Sequence, residues 1–274
     1  MPELPEVETV VREIRPGLSG RVVSTVRVSK QALRRAWLPK WKSAVLGQRV
    51  EKVLRHGKWI FMPLANGRVV VIHLGMTGQL TVVPAATPVA SHTHVVLGLD
   101  GTGTELRFRD IRRFGSVSLL APNGSIEQYL EEIGLGPEPF HAEPSYWREQ
   151  LAKTRRNLKA LLLDQRVIAG VGNIYADESC FASRLHPARL GNSLTTREIG
   201  RLADAVPAVL NRAIDKRGST IRDYVGGSGL RGGFQDEFCV YGRTGQPCPR
   251  CGKVIQRMRL AGRSTHYCPR CQKA

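Results

Sequence analysis

Four cysteines near the end of the chain constrain its fold most. Cys248-Pro-Arg-Cys251 and Cys268-Pro-Arg-Cys271 are two Cys-x-x-Cys pairs separated by the sixteen residues 252–267. At that spacing two thiolate knuckles on adjacent hairpins close a tetrahedral Zn2+ site. With four cysteine ligands no coordination position stays open, so the zinc is expected to be structural. Disulfides would need an oxidising compartment, to which nothing else in the sequence points. Cys180 and Cys239 are left over and read as buried thiols.

From Cys239 onward the chain carries eight basic residues and no acidic one, and the 274-residue whole holds 41 Lys and Arg against 23 Asp and Glu, a net charge of +18. That balance suits a polyanion. Nucleic acid is favoured over a membrane, because no run reaches the roughly 18 apolar residues of a span. The leading residues are acidic and lack an apolar leader, so a soluble, cytoplasmic protein is expected.

The N-terminus, Met1-Pro-Glu-Leu-Pro-Glu-Val-Glu8, runs straight into a helical pattern with Val7, Val10, Val11 and Ile14 on one face. Pro5, Glu6 and Glu8 form its start signal and Pro16-Gly17 its expected stop. If Met1 is trimmed, Pro2 becomes a secondary amine with an ordinary pKa of about 7.7 to 8.0, much of it neutral near pH 7. Such an amine can attack an electrophilic carbon and form an iminium. Glu3 beside it can deliver a proton. A mere helix leader is the plainer reading of these residues alone.

Strand-like runs follow at 21–29, 50–54, 59–64, 69–74, 80–83, 93–99, 105–109 and 116–120, with a short helical pattern at 33–45 and an Asn66-Gly67 hairpin turn. Many short strands with few helices between them predict an antiparallel sandwich or barrel with the first helix packed beside it. From Ser125 the period turns helical. A proline-rich stretch reads as a linker, and helices are expected at 146–154, 157–165, 174–185 and 195–216. Thr195 to Glu198 is a capping box, and Pro207 should kink the last helix. The resulting division is 1–132, a linker at 133–150, a helical domain at 151–236 and a zinc finger at 237–274.

Three further segments carry chemistry. Gly170-Val-Gly-Asn173 joins two helices with Asn173 placed as an N-cap, a geometry that binds phosphate oxygens. Lys153, Arg155, Arg156 and Lys159 could line the same track. His73-Leu-Gly-Met-Thr-Gly78 and Asp110-Ile-Arg-Arg-Phe-Gly115 set Met76, Arg112 and Phe114 at turns, where such side chains can wedge into a base step. Core packing is the plainer reading of Met76 and Phe114. Gly227-Ser-Gly-Leu-Arg-Gly232 lacks a surrounding βαβ unit, which excludes a dinucleotide site and leaves a loop that is either a lid or a linker.

Taken together, the leader, Gly57-Lys58, His73 to Gly78, Arg112 to Gly115, Gly170 to Tyr175 and the four cysteines resemble, in order and across nearly the whole chain, the formamidopyrimidine-DNA glycosylases. The resemblance implies an α+β fold: a helix-flanked antiparallel β-sandwich, then a helix-two-turn-helix domain with a four-cysteine zinc finger. It implies a bifunctional DNA glycosylase and AP lyase that removes oxidised purines from double-stranded DNA and acts as a monomer. Pro2 would be the Schiff-base nucleophile, Glu3 the proton donor, and Lys58 and Arg263 would assist β- and δ-elimination. His92, Arg112, Arg155 and Asn173 would contact DNA. Met76, Arg112 and Phe114 would fill the gap left by the flipped base, and the loop 226–233 would cap that base. Arg155 stands where a Lys is common and His56 where a basic residue is expected. Still open are the endonuclease VIII type, which prefers oxidised pyrimidines, and a non-catalytic zinc-ribbon DNA binder.

Overall fold

The computed structural model describes residues 1–220 and 232–273. The chain forms two compact units, Met1–Ile133 with Arg217–Gly233, and Gly134–Lys216 with Phe234–Ala274.

The first unit opens with helix α1 (Leu4–Leu18), whose buried face is Leu4, Val7, Val10, Val11, Ile14 and Leu18. The helix runs past its expected stop: Pro16 lies in the last turn and Ser19 N–H closes on the Arg15 carbonyl. A proline there removes only one bond of a ladder that is about to end, and burial of Leu18 favours the extra turn.

Eight strands follow: β1 (Val23–Val28), β2 (Leu54–His56), β3 (Trp59–Pro63), β4 (Val69–His73), β5 (Gln79–Pro84), β6 (Thr93–Leu99), β7 (Thr104–Arg109) and β8 (Ser116–Leu119). They form two four-stranded sheets, β1-β6-β7-β5 and β2-β3-β4-β8, with every pairing antiparallel. Ile60, Met62, Val70 and Ile72 of one sheet share a core with Val95, Leu97, Leu106 and Phe108 of the other and with the α1 valines. The unit is therefore a sandwich flanked by a helix.

Phe61, Val69 and Val71 point the other way and pack on Tyr129 of helix α3 (Ile126–Glu132). With both faces covered, β3 and β4 are apolar throughout rather than alternating. Two local expectations change. The 33–45 pattern forms only the short α2 (Lys40–Val45), since Pro39 cannot continue a preceding helix. At Asn66-Gly67 only Gly67 takes a positive φ, 76°; Asn66 instead closes the turn by accepting the Arg68 N–H at 3.1 Å.

The second unit holds α4 (Pro144–Ala152), α5 (Leu158–Leu163), α6 (Asn173–Ala182), α7 (Thr196–Asp215) and the hairpin β9 (Gln256–Leu260) with β10 (Arg263–Tyr267). The stretch expected as a linker contains a 3-10 turn, Pro139–His141, and the start of α4. The Thr195–Glu198 capping box opens α7, which continues as one helix through Pro207. Among the described residues no helix is long and apolar enough to cross a membrane.

Candidate active site and nucleic-acid interface

Around the N-terminus, the first unit gathers several of the expected site residues. Pro2, Glu3 and Lys58 are buried while Met1 is 56% exposed. Glu6, itself buried, accepts the Glu3 backbone N–H at 2.9 Å through Oε2, and through Oε1 it accepts Ser219 N–H at 2.7 Å and the Ser219 hydroxyl at 3.0 Å. One carboxylate thus ties the leader to a residue 213 positions away. Lys58 follows Gly57 in the two-residue turn between β2 and β3, and Gly57 takes φ 55° there. Arg55 pins that turn to α1, donating to the Gly57 carbonyl at 3.2 Å and to Glu8 at 2.8 Å. Burial opposes ionisation of Glu8, yet hydrogen bonds from Arg55 and Arg12 hold its carboxyl below the usual range.

The electrostatics converge on the terminal amine. Burial lowers its pKa, Glu3 and Glu6 raise it, and Lys58 and Arg112 lower it further. The net shift is downward, which favours the neutral amine. With Met1 attached, the Pro2 nitrogen is an amide and carries no nucleophilic lone pair, so the amine that chemistry would use appears only after trimming. His73 stacks on Trp59 at 4.6 Å between ring centroids, and its Nδ1 accepts the Gly75 N–H at 3.1 Å. Burial, with Lys58 and Arg34 nearby, pushes its pKa down to about 4. It is neutral at pH 7.

Met76 and Phe114 are 37% and 46% exposed, so the core-packing alternative falls for both. The Arg112 guanidinium lies 4.8 Å over the Phe114 ring. The fully buried Asp110 organises these turns. It accepts Thr77 Oγ1 at 2.5 Å and the Gly115 N–H at 2.7 Å, while Thr77 Oγ1 accepts the Arg112 N–H at 3.1 Å. The glycines follow from the spacing: a Cβ on Gly75, at φ 64°, would sit 2.4 Å from Gly115 N. His92 is exposed at φ 65° and accepts the Asp110 N–H through its carbonyl at 3.0 Å.

In the second unit Asn173 is the first residue of α6, and Gly172 holds the N-cap. The expected cap is displaced by one residue because Gly172 takes the extended backbone (φ −134°) that a cap requires. Asn173 Oδ1 is buried with no hydrogen-bond partner among the described residues. Arg155 is exposed. Arg263 opens β10 directly after Ala261 and Gly262, whose φ values of 48° and 72° make the tight turn at the hairpin tip.

Lys159 departs from expectation. Its side chain is 0% exposed, its Nζ donating to Asp177 Oδ1 at 2.5 Å and to the Asn173 carbonyl at 2.8 Å. It therefore lines no surface track. Asp177 Oδ2 also accepts the His266 N–H at 2.9 Å and lies 3.0 Å from His266 Nδ1, so His266 is likewise buried. Of the other residues on that track, Lys153 pairs with Glu149 and Arg156 with Asp164. Sequence reasoning missed Glu178 entirely. This buried carboxylate accepts the N–H groups of Cys239, Val240 and Tyr241 at 3.0, 2.9 and 2.8 Å. No local signal identifies it, since its partners lie more than 60 residues on.

The Sγ atoms of Cys248, Cys251, Cys268 and Cys271 all lie within 4.8 Å of one another, with 3.5 Å between Cys251 and Cys268 and 3.9 Å between Cys248 and Cys271. Tetrahedral Zn–S bonds of about 2.3 Å place sulfurs roughly 3.8 Å apart, so the thiols fit a zinc ion. Cys180 and Cys239 stand outside the cluster, and burial pushes their thiols up to about 12 and about 11. Little thiolate forms at either near neutral pH. The part of the glycine-rich loop at 226–231, expected to cap a base, lies outside the described residues.

Known proteins resemble this arrangement along the whole chain. The formamidopyrimidine-DNA glycosylase N-terminal domain matches residues 1–117, the family's H2TH domain residues 135–225, and the zinc finger found in FPG and IleRS residues 245–274. The formamidopyrimidine-DNA glycosylase of Desulforamulus reducens is 44% identical over all of both chains, and that of Bacillus cereus 41% identical over 99% of each. Among solved structures, MutM (Fpg) from Thermus thermophilus aligns at TM-score 0.86 and 42% identity, covering 99% of this chain and 98% of that one. Lactococcus lactis Fpg mutant G226P, in complex with a Fapy-dG containing DNA, aligns at TM-score 0.92 and 32% identity over the full length of both. With three successive family domains in register and full-length relatives above 40% identity, the chain belongs to the formamidopyrimidine-DNA glycosylase family.

Proposed function

We propose that the protein, once freed of Met1, is a bifunctional DNA glycosylase and AP lyase acting on oxidised purines such as 8-oxoguanine and formamidopyrimidines in duplex DNA. The observation that carries this reading is the burial of Pro2, Glu3 and Lys58 at the N-terminus, where Glu3, Lys58 and Arg112 also act on the charge of the Met1 amine. Solved Lactococcus lactis relatives bind Fapy-dG and abasic-site DNA, which supports the same substrate class here.

In this mechanism the neutral Pro2 nitrogen attacks C1′ of the damaged nucleotide. The N-glycosidic bond breaks and the base leaves with its electron pair, taking up a proton. Glu3 protonates the ring oxygen as the sugar opens, leaving an iminium between Pro2 and C1′. The iminium acidifies the C2′ hydrogens, and loss of one expels the 3′ phosphate by β-elimination. Lys58 supplies proton transfer or electrostatic help at that step. A second elimination, assisted by Arg263 at the hairpin tip, expels the 5′ phosphate, and water then releases Pro2.

Met76, Arg112 and Phe114 occupy the space of the flipped nucleotide, as their exposure allows. His92, Arg155 and Asn173 hold phosphates. Cys248, Cys251, Cys268 and Cys271 hold one structural Zn2+ that keeps the hairpin in shape. The protein acts as a monomer in the cytoplasm. The same division of labour places the sandwich at 1–132 and the DNA-gripping helices and finger beyond 150.

Borohydride reduction during incubation with an 8-oxoguanine duplex tests the reading. Met1-free protein is expected to give a covalent adduct mapping to Pro2, with excision of 8-oxoguanine exceeding that of thymine glycol. An unreactive processed protein that still binds DNA would overturn it.

A further inference from the structure

In the second unit α6 packs against the strand β10, and Asp177, midway along the helix, accepts the His266 N–H at 2.9 Å. Further along, Leu185 pairs in parallel with Lys273, and Gln272 Nε2 donates to the Leu185 carbonyl at 2.9 Å. Asn173 stands at the start of α6, and Arg184, Arg270 and Lys273 gather past its end. Ten helical residues separate the ends by about 15 Å.

The far end is a cleft of about 620 Å³ lined by Arg184, Arg189, Arg201, Arg250, Arg270 and Lys273 and bordered by Cys251 and Cys271 of the four-cysteine cluster, with Glu198 the single carboxylate among the described residues. Part of this charge is committed within the fold. Arg189 pairs with Glu198 at 3.2 Å, Arg201 donates to the Ser183 carbonyl at 3.0 Å, and Arg250 lies 4.4 Å over the Phe181 ring while donating to the Phe181 carbonyl at 3.3 Å. The remainder is not committed: Arg184, Arg270 and Lys273 are exposed and form no ion pair with any described residue. Arg184 keeps its place at φ 60°, just past the end of α6, where glycine would be unstrained. A cleft concentrates such a field and draws in an anion.

We propose that this cleft is a second phosphate-binding site, occupied by the backbone of a nucleic-acid duplex other than the one held at the Asn173 end. Arginine forks match phosphate oxygens. Among the described residues no aromatic side chain lines the cleft, so it offers no stacking platform for a nucleotide base there and suits sequence-independent backbone contact. A protein holding two duplex segments at opposite ends of α6 can pass directly from one to the other. The inference rests on DNA binding at the Asn173 end, and adds to it.

The test follows the release of a labelled short undamaged duplex as unlabelled duplex is increased. For the wild-type protein, the release rate is expected to rise in proportion to competitor concentration. The combined variant Arg184→Ser, Arg270→Ser, Lys273→Ser is expected to release at a rate independent of competitor, while keeping the wild-type melting temperature and single-turnover excision from a short lesion duplex. If the triple variant is poorly folded, Arg184→Ser and Lys273→Ser alone should each flatten the dependence in part. A wild-type release rate indifferent to competitor overturns the proposal, as does a folded variant that behaves like wild type. Acceleration by ATP equal to that by duplex, at matched phosphate, would reassign the cleft to small phosphates. Failure of the wild type to bind or process the lesion duplex would count against the glycosylase reading instead.

Discussion

The two units weight apolar packing and buried charge differently. In the first, the Met76 and Phe114 turns and the N-terminal leader stand on a shared apolar core, with the buried carboxylates of Asp110 and Glu6 accepting loop N–H groups and the loops pressed together until no side chain fits between Gly75 and Gly115. In the second, Asn173 and the finger hairpin are fixed by buried ionisable groups: Lys159 on Asp177, Asp177 on His266, and Glu178 on three N–H groups of the segment entering the finger. An apolar core tolerates small losses gradually. A buried charge whose partner disappears is left exposed to a medium that cannot solvate it.

The largest expected effect comes from removing metal. Chelation at neutral pH should strip the four cysteines of a binding energy on the order of 10 kcal/mol and unfold residues 239–273, detectable as new proteolytic sites there. The sandwich should stay protected. If the sandwich opens equally, the two units are not held independently.

Next, Lys159→Met should destabilise the protein by about 3–5 kcal/mol in urea unfolding, because it strands a buried Asp177. Lys153→Met, removing an exposed pair with Glu149, should cost well under 1 kcal/mol. Equal costs would erase the contrast between a buried and a solvated lysine on neighbouring turns.

A further effect belongs to His73 and depends on pH. Its folded pKa of about 4 lies below the ordinary 6.5, so above pH 6.5 it is neutral in both states and contributes no pH dependence. As pH falls from 6.5 toward 4, the unfolded chain takes up a proton that the folded one refuses. Stability should drop by up to ~3 kcal/mol over that window. His73→Gln should remove this part of the pH slope, and an unchanged slope would show that other groups carry it.

Much of the first unit was legible because its signals are local. The helix start, the two-residue turn before Trp59, and the glycines flanking Met76 and Phe114 are all spelled within a few residues. The four cysteines were equally plain. What escaped depends on partners distant in sequence. Lys159 sits among Arg155, Arg156 and Lys153, and reads as one more solvated cation until the fold brings Asp177, 18 residues on, against it. Glu6 looked like a dipole-compensating start residue, yet it is a tether to Ser219. Asn173 was placed as the cap because asparagine is a good one, but the extended backbone of Gly172 claimed the position.

The glycine pair behind the wedge has a consequence for how the protein can change. A Cβ on Gly75 would meet the Gly115 N and the Phe114 carbonyl, and one on Gly115 would meet the His73 carbonyl oxygen and the Phe108 ring at 2.7 Å, so neither glycine can vary without displacing these neighbours. The exposed side chains they carry forward meet no such restriction. Positions 76 and 114 can therefore change side chain while the mount beneath them is inherited unaltered.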